Sequence, residues 1–100
     1  MTTYTHKITW YVGLDWPRPE DAKQRLLEEV KTFEEPATVT FGHGIWQGLS
    51  EEVAVVTMLD DGEPDHWHIT RAEELADVMK QDSVLVTVEP IEADLVELSG

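Results

Sequence analysis

The sequence contains no cysteine, few basic residues and no long apolar segment. Without cysteine it has no disulfide framework, thiolate nucleophile or cysteine-based zinc site, and this composition is typical of a reducing compartment. No run approaches the roughly 18 apolar residues that cross a bilayer, and residues 1–7 lack the apolar stretch of a signal peptide. We therefore expect a cytoplasmic protein that neither spans a membrane nor is exported by that route.

Basic residues are scarce, and the charge imbalance lies in one half of the chain. Residues 1–50 hold 7 acids and 5 bases (7 − 5, net −2), whereas residues 51–100 hold 14 acids and only Arg71 and Lys80 (14 − 2, net −12). A field of this sign repels phosphate backbones and anionic lipids but attracts basic protein surfaces. The sequence therefore predicts no direct nucleic-acid binding and no membrane contact.

A chain of 100 residues with 41% hydrophobic residues is long enough for one core. We expect a single domain over residues 1–100, with an ordered core of about residues 4–90 and an acidic tail over residues 91–100.

Hydrophobic periodicity predicts four strands and two helices. In the first half, alternation predicts a strand over residues 5–12 that ends at Gly13, and a four-four-three spacing predicts an amphipathic helix near residues 19–34. A second strand over residues 37–41 leads into residues 42–48, where Gly42 and Gly44 predict a bend.

In the second half, residues 53–59 are apolar on both sides, which predicts a central strand covered on both faces. Thr70 and Glu73 form a capping box that predicts a helix through Lys80. A last strand is expected over residues 83–89, and the tail beyond Pro90 either adds a short edge strand or packs along one. The order βαββαβ predicts an α+β, ferredoxin-like fold, with an antiparallel sheet and two helices on one face.

Three segments carry a resemblance to known proteins: residues 11–14 (YVGL), residues 39–46 (VTFGHGIW) and residues 81–87 (QDSVLVT). They resemble a diffuse group of uncharacterised small ferredoxin-like proteins encoded by phages and mobile elements. The resemblance implies the fold and a phage or mobile-element setting. It implies no catalytic residues, because none are assigned in that group.

The acidic clusters and an aromatic residue beside them are the candidate partner-binding residues. Such a surface can imitate the phosphate array of a nucleic acid and occupy a basic groove, and aromatic residues are common at interface hot spots. The candidate residues are Glu51, Glu52, Asp60, Asp61, Glu63, Asp65, Trp67, Glu73, Glu74 and Asp77.

His43, His66 and His68 are weak candidates for metal ligands, since His66 and His68 share a side if their segment is extended. The remaining ligands would have to be assumed, so no metal and no cofactor is predicted. Carboxylates are too abundant to indicate acid–base catalysis, and no nucleophile lies in a recognisable motif. We expect no enzymatic activity.

These observations favour a non-enzymatic inhibitor of the anti-CRISPR type, which binds a basic host protein such as a CRISPR effector or another nucleic-acid-handling protein. Two alternatives stay open. One is a metal-binding or small-ligand-binding domain, including a homodimer formed through an open sheet face or edge. The other is a structural domain of a salt-adapted organism, because such proteins also carry many acids and few lysines.

Overall fold

The computed structural model describes residues 2–98 and confirms the ferredoxin-like βαββαβ fold. Four antiparallel strands form one sheet in the order β2-β3-β1-β4, and both helices pack on the same face. The elements are β1 (Thr2–Gly13), α1 (Pro19–Val30), β2 (Ala37–Trp46), β3 (Leu49–Asp60), α2 (Trp67–Met79) and β4 (Leu85–Leu95). Met1, Ser99 and Gly100 lie outside the described residues, and so does the end of the predicted acidic tail.

The core lies between the sheet and the two helices. Trp10 of β1 is fully buried at its centre, and its indole Nε1 donates a hydrogen bond to the His68 carbonyl oxygen at 3.0 Å. Trp16 donates from Nε1 to the Met79 carbonyl oxygen at 2.8 Å at the other end of α2. Because both indole N–H groups reach the α2 backbone, Trp10 ties one end of the helix to β1 and Trp16 ties the other end to the loop after β1.

The helices differ from the predicted ones at their ends. α1 ends at Val30, because the following turn bonds back to the Glu29 carbonyl and brings Phe33 into the core as a turn residue. α2 begins at Trp67, so the predicted capping box is wrong and Thr70 lies inside the helix. Its N-cap is His66, whose carbonyl accepts the amides of Ile69 and Thr70.

The glycine bend predicted within residues 42–48 is also wrong. Gly42 pairs with Val53 and Gly44 pairs with Glu51, so β2 continues without interruption to Trp46. The tail beyond Pro90 likewise continues an existing strand, because residues 93–95 of β4 pair with residues 2–4 of β1 after a bulge. Pro90 is tolerated because β4 is an edge strand.

β3 is an inner strand, as predicted, but only one of its faces is covered. Ala54, Val56 and Met58 point toward the helices and are buried. Val53 and Val55 point to the opposite face, where no helix lies and both are half-buried. The apolar pattern on both sides of this strand therefore marks an apolar face that the chain itself leaves open.

The β2–β3 hairpin closes through Gln47 and Gly48, which both have positive φ (49° and 78°). Positive φ at both central residues is the type I′ turn, which favours Asn-Gly. Gln47→Asn is expected to raise the free energy of unfolding by about 0.5 kcal/mol, because asparagine tolerates the left-handed region better than glutamine. Urea unfolding checks this, and Gly48→Ala is expected to lower the same quantity by about 1 kcal/mol.

Candidate interaction surfaces

The first candidate surface is the acidic end of the molecule, formed by the turn between β3 and α2 and the outward side of α2. Asp61, Glu63 and Asp65 are exposed in the turn. Glu73 and Asp77 are exposed on α2, four residues apart and so on one side of the helix. We use the term acidic end for Asp61, Glu63, Asp65, Glu73 and Glu74, whereas Asp77 lies near the other end of α2, two residues before Met79.

Asp60 and Trp67, two of the predicted partner-binding residues, contact each other inside the fold. The Trp67 Nε1 donates to the Asp60 carboxylate at 3.0 Å, and the Trp67 ring lies 5.8 Å from that of Trp10. The second Asp60 oxygen accepts the Gly62 amide at 3.4 Å and so shapes the turn. These contacts give both residues a structural role at the base of the acidic end.

Glu51 and Glu52 do not join the acidic end. They lie near the start of β3, whereas Asp60 ends it, and nine residues of strand separate Glu51 from Asp60 by about 30 Å. Glu52 approaches Lys23 of α1 at 3.9 Å. The predicted acidic residues therefore occupy opposite ends of the sheet.

The three histidines are also dispersed. His43 pairs with Glu52 at the hairpin end of the sheet, and His66 and His68 lie at the opposite end, where α2 begins. His66 has a left-handed backbone and His68 is already helical, so the extended geometry that would align their imidazoles is absent. Within residues 2–98 no three His, Asp or Glu side chains come together as a metal site.

The second candidate surface is the open face of the sheet, which has no helix over it. Strand register places four threonines in one row across all four strands, with Thr38 beside Thr57, Thr57 beside Thr9, and Thr9 beside Thr87. The next row holds Thr40, Val55, Tyr11 and Leu85. Lys7 and Glu89 are the charged residues on the four-stranded part of this face, 3.9 Å apart at one corner.

A hairpin arm extends beyond this face. β1 pairs with β3 only as far as Val53, so residues 43–52 form a two-stranded arm past the end of β1. Ile45, Trp46 and Leu49 near its tip are 70–74% exposed. The sequence analysis placed the candidate interface aromatic at Trp67 and missed Trp46. Its exposure could have been predicted from its position just before the Gln47-Gly48 turn, because a residue at the end of a hairpin strand has few neighbours.

A groove of about 990 Å³ lies where the arm meets the open face. Tyr11, Val55 and Leu85 line one part, and Trp46 and Glu51 line the arm side. Gly42 and Gly44 leave the strand backbone bare in the groove, with no atom within 4 Å of a Cβ added at Gly42. The Gln81 side chain lies against Gly13 at the far end. The groove thus combines a flat floor, aromatic side chains and the carboxylates of Glu51 and Asp82.

Comparisons with known proteins identify the fold. No protein-family model matches the chain, and no curated protein matches it. Among solved structures, a phage SAM lyase in its apo state superposes with a TM-score of 0.60 at 18% identity, over 97% of this chain and 90% of that one. A DUF3240 family protein from Shewanella baltica OS155 superposes with a TM-score of 0.61 at 16% identity, over 99% of this chain and 100% of that one.

The two superpositions support the fold that the predicted resemblance implies, and nothing finer. One of the two similar structures is a phage protein, which is consistent with a small phage-related fold. In the part of the chain that the structure describes, no helix is long and apolar enough to cross a membrane. The chain adopts the ferredoxin-like fold of a phage SAM lyase and of a DUF3240 family protein.

Proposed function

We propose that this protein is a phage or mobile-element inhibitor that acts without catalysis. In this proposal it occupies the nucleic-acid-binding surface of a basic host protein, such as a CRISPR effector. The observation that supports the proposal is the acidic end, where one turn and the helix that follows it carry exposed carboxylates. The proposed site of action is the host cytoplasm.

The local balance of charge supports the acidic end as the partner-binding surface. Arg71 is the basic residue of α2, and its guanidinium is engaged by the Glu74 carboxylate at 3.1 Å and by the Phe33 ring, 4.0 Å from the ring centroid. Asp61, Glu63, Asp65 and Glu73 are therefore left as a negative array with little local compensation. Such an array accelerates encounter with a basic groove and sets which partners are rejected.

Capture of host proteins on the immobilised protein tests the proposal. The test variant neutralises Asp61, Glu63, Asp65 and Glu73 to Asn or Gln and leaves Asp60 intact, because Asp60 holds Trp67. The control variant neutralises four exposed carboxylates elsewhere, at Asp15, Glu28, Glu92 and Glu97. Both variants carry the same net charge, so a difference in capture between them shows that the position of the carboxylates matters.

We expect wild type and control to capture a basic nucleic-acid-binding protein at low salt, and the test variant to bind it at least about tenfold more weakly. Raising the salt concentration is expected to weaken the wild-type complex, because exposed charges are screened. Equal capture by both variants contradicts the proposed surface. Folding that requires molar salt would instead favour the salt-adapted structural domain.

The groove favours a second candidate function, the binding of a small ligand. A bare glycine floor admits a planar ring, Tyr11 and Trp46 offer aromatic contacts, and Glu51 offers a counter-charge for a cation. The phage SAM lyase of similar fold makes SAM, a sulfonium cation with an adenine ring, the first ligand to test.

Isothermal titration calorimetry with SAM tests this second candidate. Gly42→Leu is the matched variant, because its side chain would fill the groove and its Cβ meets no atom within 4 Å. Saturable heat with wild type and at least about tenfold weaker binding by Gly42→Leu would support the ligand site. Absence of heat with SAM, or binding that Gly42→Leu leaves unchanged, would contradict SAM as the ligand of this groove.

A further inference from the structure

The open face of the sheet differs from the rest of the surface in its lack of charge. Charged residues make up 28% of the chain, yet the four-stranded part of this face holds only the paired Lys7 and Glu89, at one corner. Its remaining positions are threonine, valine, leucine, tyrosine and glycine. A strongly charged protein thus presents one broad, nearly uncharged face, on which a row of threonines lies beside a row of mostly apolar side chains.

Apolar side chains on this face remain exposed to solvent in a single chain, which indicates that another molecule covers them. Leu85 is 63% exposed, Tyr11 is 39% exposed, and Val53 and Val55 are half-buried. A contiguous apolar patch of this kind is a mark of an interaction surface. The arm adds Trp46 and Leu49, which face each other across the hairpin on the same side of the sheet.

We infer that a second copy of this chain covers the open face. A charged partner finds no free charge on the four-stranded part of this face, because Lys7 and Glu89 pair with each other there. A second copy brings the same nearly uncharged face and keeps its acidic surfaces pointing away into solvent. Sheet-to-sheet packing of this type buries both inner faces without leaving an unpaired charge.

The four-stranded part of the face supplies about half of the area of a standard contact. Four strands about 4.8 Å apart and about 20 Å of strand length give a flat area of about 400 Å² per copy. Side-chain relief and the apolar side of the arm raise this toward the roughly 800 Å² per partner of a standard interface. Association also covers the exposed tryptophan at the hairpin arm, Trp46.

Sedimentation equilibrium of the purified chain, over a wide range of concentration and at two salt concentrations, tests the inference. We expect a reversible dimer that strengthens as salt rises, because salt screens the repulsion between two copies of net charge −14. This salt dependence is opposite to that expected for binding a basic partner. A monomer at every concentration, in both salts, overturns the inference.

Leu85→Glu and Tyr11→Glu place a carboxylate in the middle rows of the open face, and each is expected to raise the dissociation constant of the dimer at least about tenfold. Leu27→Glu is the matched control, since Leu27 is an exposed leucine on α1, away from the open face. Circular dichroism melts verify that each variant is folded. If neither open-face variant raises the dissociation constant more than the control does, the dimer contact lies elsewhere and the inference is wrong.

Discussion

The Trp10→Ala variant is expected to lose about 4 kcal/mol of unfolding free energy. Trp10 is fully buried, contacts the ring of Trp67, and supplies the indole N–H that the His68 carbonyl accepts. Truncation leaves a cavity between sheet and helix and removes the bond that holds the start of α2. For a domain of this size the loss corresponds to a fall in melting temperature of roughly 15–30 °C.

Ile45→Ala is the control for Trp10→Ala. Ile45 is also a large apolar residue on a strand, but it is 70% exposed on the hairpin arm. We expect this substitution to cost less than about 1 kcal/mol, because it creates no cavity. Thermal and urea unfolding measure both changes. Similar losses for the two variants would contradict the placement of the core under the helices.

The Asp60→Ala variant is expected to lower the unfolding free energy by about 2 kcal/mol, whereas Asp61→Ala is expected to change it by less than about 0.5 kcal/mol. Asp60 accepts the Trp67 indole N–H at 3.0 Å and the Gly62 amide at 3.4 Å, while Asp61 is exposed. Two neighbouring aspartates thus have different roles. Urea unfolding of the two single variants separates these roles.

A double-mutant cycle with Trp67→Phe isolates the contact between Asp60 and the indole. The phenyl ring keeps most of the packing against Trp10 but removes the N–H donor. We expect a coupling free energy of about 1 kcal/mol between the two positions. Strict additivity would mean that the two side chains do not interact in solution, and the structural role assigned to Asp60 would then be wrong.

The order of strands and helices was predictable because local periodicity decides it. The alternation of Ile8, Trp10 and Val12 and the helical spacing of Ala22 and Leu26 report directly on which side of each element is buried. Element ends were less predictable. The start of α2 depends on the packing of Trp67 against Trp10 and on its bond to Asp60, which are contacts between distant parts of the chain.

The candidate site was predictable in composition but not in arrangement. The acidic character of residues 51–100 is a property of the sequence, yet register decides that Glu51 and Asp60 lie at opposite ends of β3. The open face escaped prediction for a related reason. An apolar pattern on both sides of β3 is the same whether a second layer of this chain or a separate molecule covers it, and only the positions of both helices distinguish these cases.

Competition with DNA on the captured partner tests the proposed function most directly. If the acidic end occupies a nucleic-acid-binding surface, a short DNA duplex and this protein cannot bind the partner together, and added duplex is expected to release the protein in proportion to its concentration. Neutralising Asp61, Glu63, Asp65 and Glu73 should make release easier than in the control variant of equal net charge. A stable ternary complex of partner, duplex and this protein would contradict the proposal.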